Sequence, residues 1–501
     1  VGATFRTADL VFVAICGTTT AGWVALGEGG SFPRVWLACT TVFLAFYLAG
    51  SVVASWRRLA AEITFDLPLR LLLGYALVNT VLFLGAWVSP LGIVANFGVL
   101  LAALVALFVA RRPVREPTSG PKVDFLALGL ALAATTLWCQ DSLRPMIPGP
   151  ELTLVKPWGD SYLHAVMIRI FGSAHGPSTI ESYALANTPA HLYHYAAYVT
   201  PALIKQAAGL PAFTAYTNTM VPLGIFLTGL GAYALVASFW GAWPGLAACA
   251  ALLLLPDGSQ QGLPNTFMSY HFMVQISPSA AAGLGILALA WLFLLRGCTQ
   301  GNLWQVMAGW MLGVSVLGYK AQLFVANALL LLLVPAVFLP RLRLRHRLLW
   351  LTAGSGLFGL VVTLSQRLPR VPLLRLDGSS TLQLLTLINY LGEPGPLREW
   401  FGAAIGPERP WIETAAVGAL YLLVQSLGAL LLLFAALEVA LRRKLSRLHR
   451  TFPALLIVNF LVMALGLAFD DRGVAMPEEL SQRPVVWMYF VVVAWTGGSI
   501  G

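Results

Sequence analysis

Runs of about 20 apolar residues recur along almost the whole chain, and no other feature restricts the fold as much. A helix of that length crosses a hydrocarbon core of about 30 Å. An unpaired backbone group in lipid costs several kcal/mol, so such runs have to be helical, and the alternating pattern of a membrane barrel is absent. Of the 501 residues, 58% are hydrophobic and 10% charged. An ordinary soluble domain is about 25% charged, so a soluble globule is excluded. The expected fold class is an all-α polytopic membrane protein.

About fourteen transmembrane helices are expected, near 9–26, 33–55, 70–89, 91–110, 124–140, 216–239, 244–256, 277–295, 303–319, 321–339, 348–366, 412–441, 453–469 and 485–500. With the N-terminus cytoplasmic, one side collects Arg57, Arg58 and Arg70, the stretch from Arg111 to Lys122, Arg341 to Arg347, and the cluster from Arg442 to Arg450. Of the 31 basic residues, 18 then lie inside and 13 outside, whereas the 21 acidic residues divide 6 to 15. The positive-inside rule accounts for the net charge of +10 without a nucleic-acid partner. Both termini are expected in the cytoplasm.

The long loops 141–215, 257–276, 367–411 and 470–484 are all placed outside, which directs the search for a site there. Residues 1–123 read as an N-terminal four-helix module, and the proline-rich stretch from Arg112 to Lys122 separates it from a core over 124–501. The numbered chain opens on Val1, and membrane targeting is assigned to the first helix. The five cysteines stand singly in apolar runs and read as small buried hydrophobes. No phosphate-binding glycine loop is present, which argues against ATP drive.

The first long loop carries KPWGDSYLHAVMIRIFG, from Lys156 to Gly172. As a helix from Asp160, it sets Leu163, Val166, Met167, Ile170 and Phe171 on one face and Arg169 opposite, the pattern of an interfacial helix. Asp160 and His164 fall one turn apart at the edge of that stripe. An Asp there is equally an N-terminal cap. Downstream, His191, Tyr193, His194, Tyr195 and Tyr198 concentrate polar aromatic groups at the water boundary, as an aromatic belt or as substrate-binding groups. A metal held by His191 and His194 with Asp160 lacks any specific spacing motif, so no metal site is assigned.

Asp160 followed by His164 on an interfacial helix after a span, then HLYHYAAY, resembles uncharacterised bacterial membrane proteins grouped with the GT-C glycosyltransferases. The resemblance covers roughly 124–501 and its motifs are short. It implies a GT-C-like core, a polyprenyl-phosphate-linked sugar donor, an extracytoplasmic acceptor, inverting transfer and a bacterial cytoplasmic (inner) membrane. Asp160 would take the position of the general base and His164 would orient it or hold the acceptor. The chain lacks the acidic pair of better-known members in this loop, which puts dependence on a divalent metal in doubt, and it carries four additional helices before the core.

Such transfer also needs a cation for the departing phosphate. Lys320, where two spans meet with scarcely a loop, and Arg483, at the start of the last span, are the candidates. Lys320 could instead snorkel to headgroups, and Arg483 could pair with Glu478 or Glu479. His271, beside another outer helix end, is a further candidate for substrate binding. Besides membrane lipid, the partners to be expected are the lipid-linked donor and subunits of a membrane complex. A transporter or flippase of an amphipathic solute and a non-catalytic scaffold subunit are the alternatives.

Overall fold

The computed structural model describes residues 7–27, 30–60, 63–64, 66–111, 121–144, 146–147, 154–155, 160–173, 195–263, 268–338, 344–367, 374–376, 396–405, 411–441, 447–469 and 479–501. These residues form an all-α structure with two small antiparallel ladders. The helices run α1 (Thr7–Ala25), α2 (Phe32–Ala54), α3 (Leu67–Val88), α4 (Ile93–Arg111), α5 (Pro121–Trp138), α6 (Asp160–Ser173), α7 (Val199–Ala208), α8 (Val221–Trp240), α9 (Ala242–Leu254) and α10 (Tyr270–Ile276). They continue with α11 (Pro278–Gln300), α12 (Leu303–Ser315), α13 (Ala321–Phe338), α14 (Leu344–Arg367), α15 (Pro396–Ala404), α16 (Trp411–Leu427), α17 (Leu430–Leu441), α18 (Arg447–Gly466) and α19 (Glu479–Ile500). Strand β1 (Met146–Ile147) pairs with β2 (Leu154–Val155), and β3 (Leu374–Leu376) with β4 (Leu467–Phe469).

Helix ends follow local chemistry. Asp66 caps α3 by accepting from Leu69 N at 2.9 Å, and Pro68 sits in the first turn, where its missing N–H costs nothing. Between α11 and α12 the chain reverses in two residues: Gly301 takes a left-handed φ of 70°, and Asn302 caps α12 by accepting from Trp304 N at 3.0 Å. Asn302 and Gln305 also donate to Arg58 O and Leu59 O, fastening this turn to the link between α2 and α3.

Among the described residues, six helices are long and apolar enough to cross a membrane, or seven if the pair Ile412–Leu427 and Leu430–Leu441 counts as one span. Further apolar helices, such as Ala242–Leu254 and Ala321–Ala336, are shorter. Among the described residues the fourteen windows read from sequence are thus matched by six or seven full-length apolar helices and several shorter ones. One of the windows, 412–441, is broken: its halves meet at 97°. Gly428 sits at the break with a φ of +55°, and the Gln261 side chain accepts from Ala429 N at 2.8 Å while donating to Pro256 O at 2.9 Å. A glycine in the left-handed region and an acceptor for an otherwise orphaned N–H are what such a corner requires.

The centre of the bundle is α11, whose apolar window is fully buried, packed on α8. Gly224, Gly231 and Gly285 let these two helices approach, and a Cβ on Gly231 would lie 3.2 Å from Gly285 Cα. At the rim, only 22% of the apolar stretch of α4 is buried. All five cysteines are buried and free, as expected of small apolar fillers.

Candidate functional site

Helix α6 begins at Asp160, as the spacing predicts, and most of its expected apolar face packs inward: Met167 and Phe171 are buried and Leu163 and Ile170 half-buried, with Val166 the exception. Ser161, His164, Ala165 and Ile168 are buried as well, whereas Val166 is 38% exposed and Asp160 and Arg169 are also exposed. His164 therefore faces the protein, while Asp160, one turn before it, stays exposed. The cause is a set of polar aromatic partners. His164 Nδ1 is hydrogen-bonded to Tyr198 Oη at 2.6 Å, and the imidazole stacks on Tyr216 with ring centres 5.2 Å apart. The Tyr216 hydroxyl bonds the Ser161 side chain and lies within electrostatic reach of Asp160.

Two unusual backbone segments hold these partners. Tyr195–Tyr198 is a 3-10 turn entering α7, with Tyr195 against Phe171 at 6.2 Å. Tyr216–Met220 is a π-helical turn entering α8, a distortion often found at functional sites. Asn218 within it donates to Trp23 O and Leu143 O at 2.8 and 2.9 Å, so the widened turn closes off the end of α1.

Lys320 is buried, only 5% exposed, and so lies within the bundle. Its loop adjoins the same 3-10 turn: a Cβ on Gly318 would lie 3.2 Å from Ala196 Cβ. Neighbouring Tyr319 faces Tyr75, with ring centres 6.0 Å apart. Asp160, His164, Tyr195, Tyr198, Tyr216 and the Lys320 loop thus belong to one polar layer.

His271 belongs to a different cluster. Asp257, fully buried, accepts from Ser259 N and Oγ, Ser269 Oγ and His271 N at 2.6 to 3.1 Å. The imidazole is bonded through Nε2 to Leu255 O at 3.0 Å and stacks on Trp138 at 4.0 Å. Burial holds its pKa below the usual histidine value, against the opposing pull of Asp257 and the Leu255 carbonyl. A neutral, stacked imidazole that donates to a carbonyl fits a structural clasp.

His191 and His194 lie outside the described residues, and so does the charged loop 377–395. Arg483 lies on α19, but its side chain is not among those described. Among the described residues, no group of three or more His, Cys, Asp and Glu could hold a metal ion.

At the opposite ends of the helices, Tyr47 Oη donates to Asp9 Oδ2 at 3.4 Å and Tyr233 Oη to Asp124 Oδ1 at 2.5 Å. These buried carboxylates, together with Tyr216 and Asn218, went unnoticed in the sequence. The visible signal for the latter pair was the polar run TAYTNTM leading into an apolar span. Compared with known proteins, the chain matches no protein-family model, no curated protein and no solved structure.

Proposed function

We propose that this chain is a membrane glycosyltransferase with a GT-C-like core, which moves a sugar from a polyprenyl-phosphate-linked donor to an extracytoplasmic acceptor. The observation that carries the reading is the His164–Tyr198–Tyr216 cluster one helical turn from Asp160, adjoined by the loop of a buried lysine. In this reading Asp160 removes a proton from the acceptor hydroxyl or amine at the exposed rim of α6. The acceptor oxygen or nitrogen attacks the anomeric carbon, the bond to the phosphate breaks, and the polyprenyl phosphate leaves with its electron pair. His164, held by Tyr198, binds the acceptor. Lys320 and Arg483 stabilise the leaving phosphate. The fourteen-span topology, the cytoplasmic termini and the bacterial inner membrane belong to the same proposal.

The test is transfer by the purified chain in proteoliposomes from a polyprenyl-phosphate-linked sugar. Asp160→Asn, at equal protein level, should lose at least a hundredfold in rate, within the range of general-base contributions. Full activity in that variant would remove Asp160 from the mechanism. A transporter or flippase is the second reading. It draws on the span broken at Gly428 and the buried Asp9 and Asp124, features that discontinuous helices and ion pathways share. It predicts solute movement without chemical change in the same vesicles.

A further inference from the structure

Helix α7 starts without a cap of its own, because its N-cap residue Tyr198 makes no side-chain bond to the helix. The first N–H groups of any helix need acceptors, and here burial excludes water. The acceptor comes from α3: Asn79 Oδ1 accepts from Thr200 N at 3.1 Å and from Thr200 Oγ1 at 3.0 Å. Asn79 Nδ2 donates to Tyr75 O at 2.9 Å, which fixes the amide so that its oxygen faces Thr200. Asn79, Tyr198 and Thr200 are all 2% exposed or less. Two residues before Thr200, the Tyr198 hydroxyl meets His164. On its other side, the 3-10 turn that carries Tyr198 rests against Gly318.

We infer that Asn79 is the positioning residue for the His164–Tyr198 pair, a cap supplied across 121 residues by the N-terminal helices to the candidate site. The N-terminal four-helix segment is then a working part of that site and not a separable docking module. The importance of the pair rests on the transferase reading; the coupling itself does not. Asn79 touches no reacting atom. It acts by fixing where α7 begins and so where the Tyr198 ring stands.

The test uses the full chain in lipid nanodiscs with 15N-labelled histidine, one of only seven such residues in the sequence being His164. Its Nδ1 resonance is assigned by its loss in His164→Asn. Asn79→Leu should shift that resonance by several ppm and leave the His271 resonance, held by Leu255 O, in place. Asn79→Asp, whose neutral carboxylic acid can reproduce all three bonds, should restore the wild-type position. If Asn79→Leu does not fold, Thr200→Val decides. It retains shape and the N–H bond but loses the hydroxyl bond, and it should give a smaller shift in the same direction. A folded Asn79→Leu, or Thr200→Val in its place, with His164 unmoved would overturn the inference. Absence of sugar transfer in the wild-type chain would remove the transferase reading, while the expected shifts would still establish the coupling.

Discussion

Helices α2 and α3 cross through two glycines, and Gly74→Ala is the sharpest test of that packing. A Cβ on Gly74 would overlap Phe46 O and lie 2.7 Å from Phe46 Cα, and one on Gly50 would lie 2.7 Å from Arg70 Cα. Carbon atoms rest at about 3.5 to 4.0 Å from one another and slightly closer to oxygen, so clearing the Phe46 carbonyl would require the helices to part by about 1.5 Å. Both obstacles are backbone, which cannot rotate away. Overpacking of this kind costs about 1 to 3 kcal/mol, and the absence of any yielding side chain places it near 3. The better helix propensity of alanine returns about 1 kcal/mol, leaving a net loss of about 2. The control is Gly85→Ala on the same helix, where nothing lies within 4 Å of the new Cβ. It should be neutral or gain up to about 1 kcal/mol from propensity alone. Thermal unfolding of both variants in one detergent, followed by tryptophan fluorescence, measures the difference. Equal stability of Gly74→Ala and Gly85→Ala would refute the glycine-mediated crossing, and with it the placement of Asn79 beside α7.

Gln261→Leu removes the acceptor for Ala429 N and the donor to Pro256 O at the broken span, a loss of about 1 to 3 kcal/mol by ordinary hydrogen-bond values. Spin labels on α16 and α17 should report a broader distance distribution in that variant, and an unchanged distribution would exclude Gln261 as the pin. His271, with its pKa lowered by burial, favours the folded state in its neutral form. Its contribution is complete above the unfolded value of about 6.5 and is lost as pH falls through the lowered folded value, with a limiting slope of about 1.4 kcal/mol per pH unit. His271→Gln, which keeps a donor for Leu255 O, should flatten the stability profile below about pH 6.5; an unaltered acid limb would place the responsible group elsewhere.

The helical class and the start of α6 at Asp160 could be read from the sequence because both are local. An apolar run has one low-energy form in lipid, and an Asp before an amphipathic stretch marks a helix start. The inward turn of His164 could not be read in this way. Its partners Tyr198 and Tyr216 stand far along the chain, and they offset the cost of burying an imidazole only once α7 and the π-turn have packed against α6. The same holds for His271, which sequence reasoning grouped with the outer site. Its bonds to Asp257 and Leu255 and its stacking on Trp138 arise from tertiary proximity. Gly428 was visible in the middle of an overlong apolar window. Only the opposing Gln261 distinguishes a 97° corner from a tolerated glycine in a continuous span.

The most direct measurement is an electron cryo-microscopy structure of the full chain purified with native lipid and an added polyprenyl phosphate. The account predicts a phosphate within hydrogen-bond distance of Lys320 or Arg483, with its lipid tail between the helices and its head open towards Asp160. Bound lipid whose phosphate sits away from both cations, with Asp160 facing only bulk water, would contradict it.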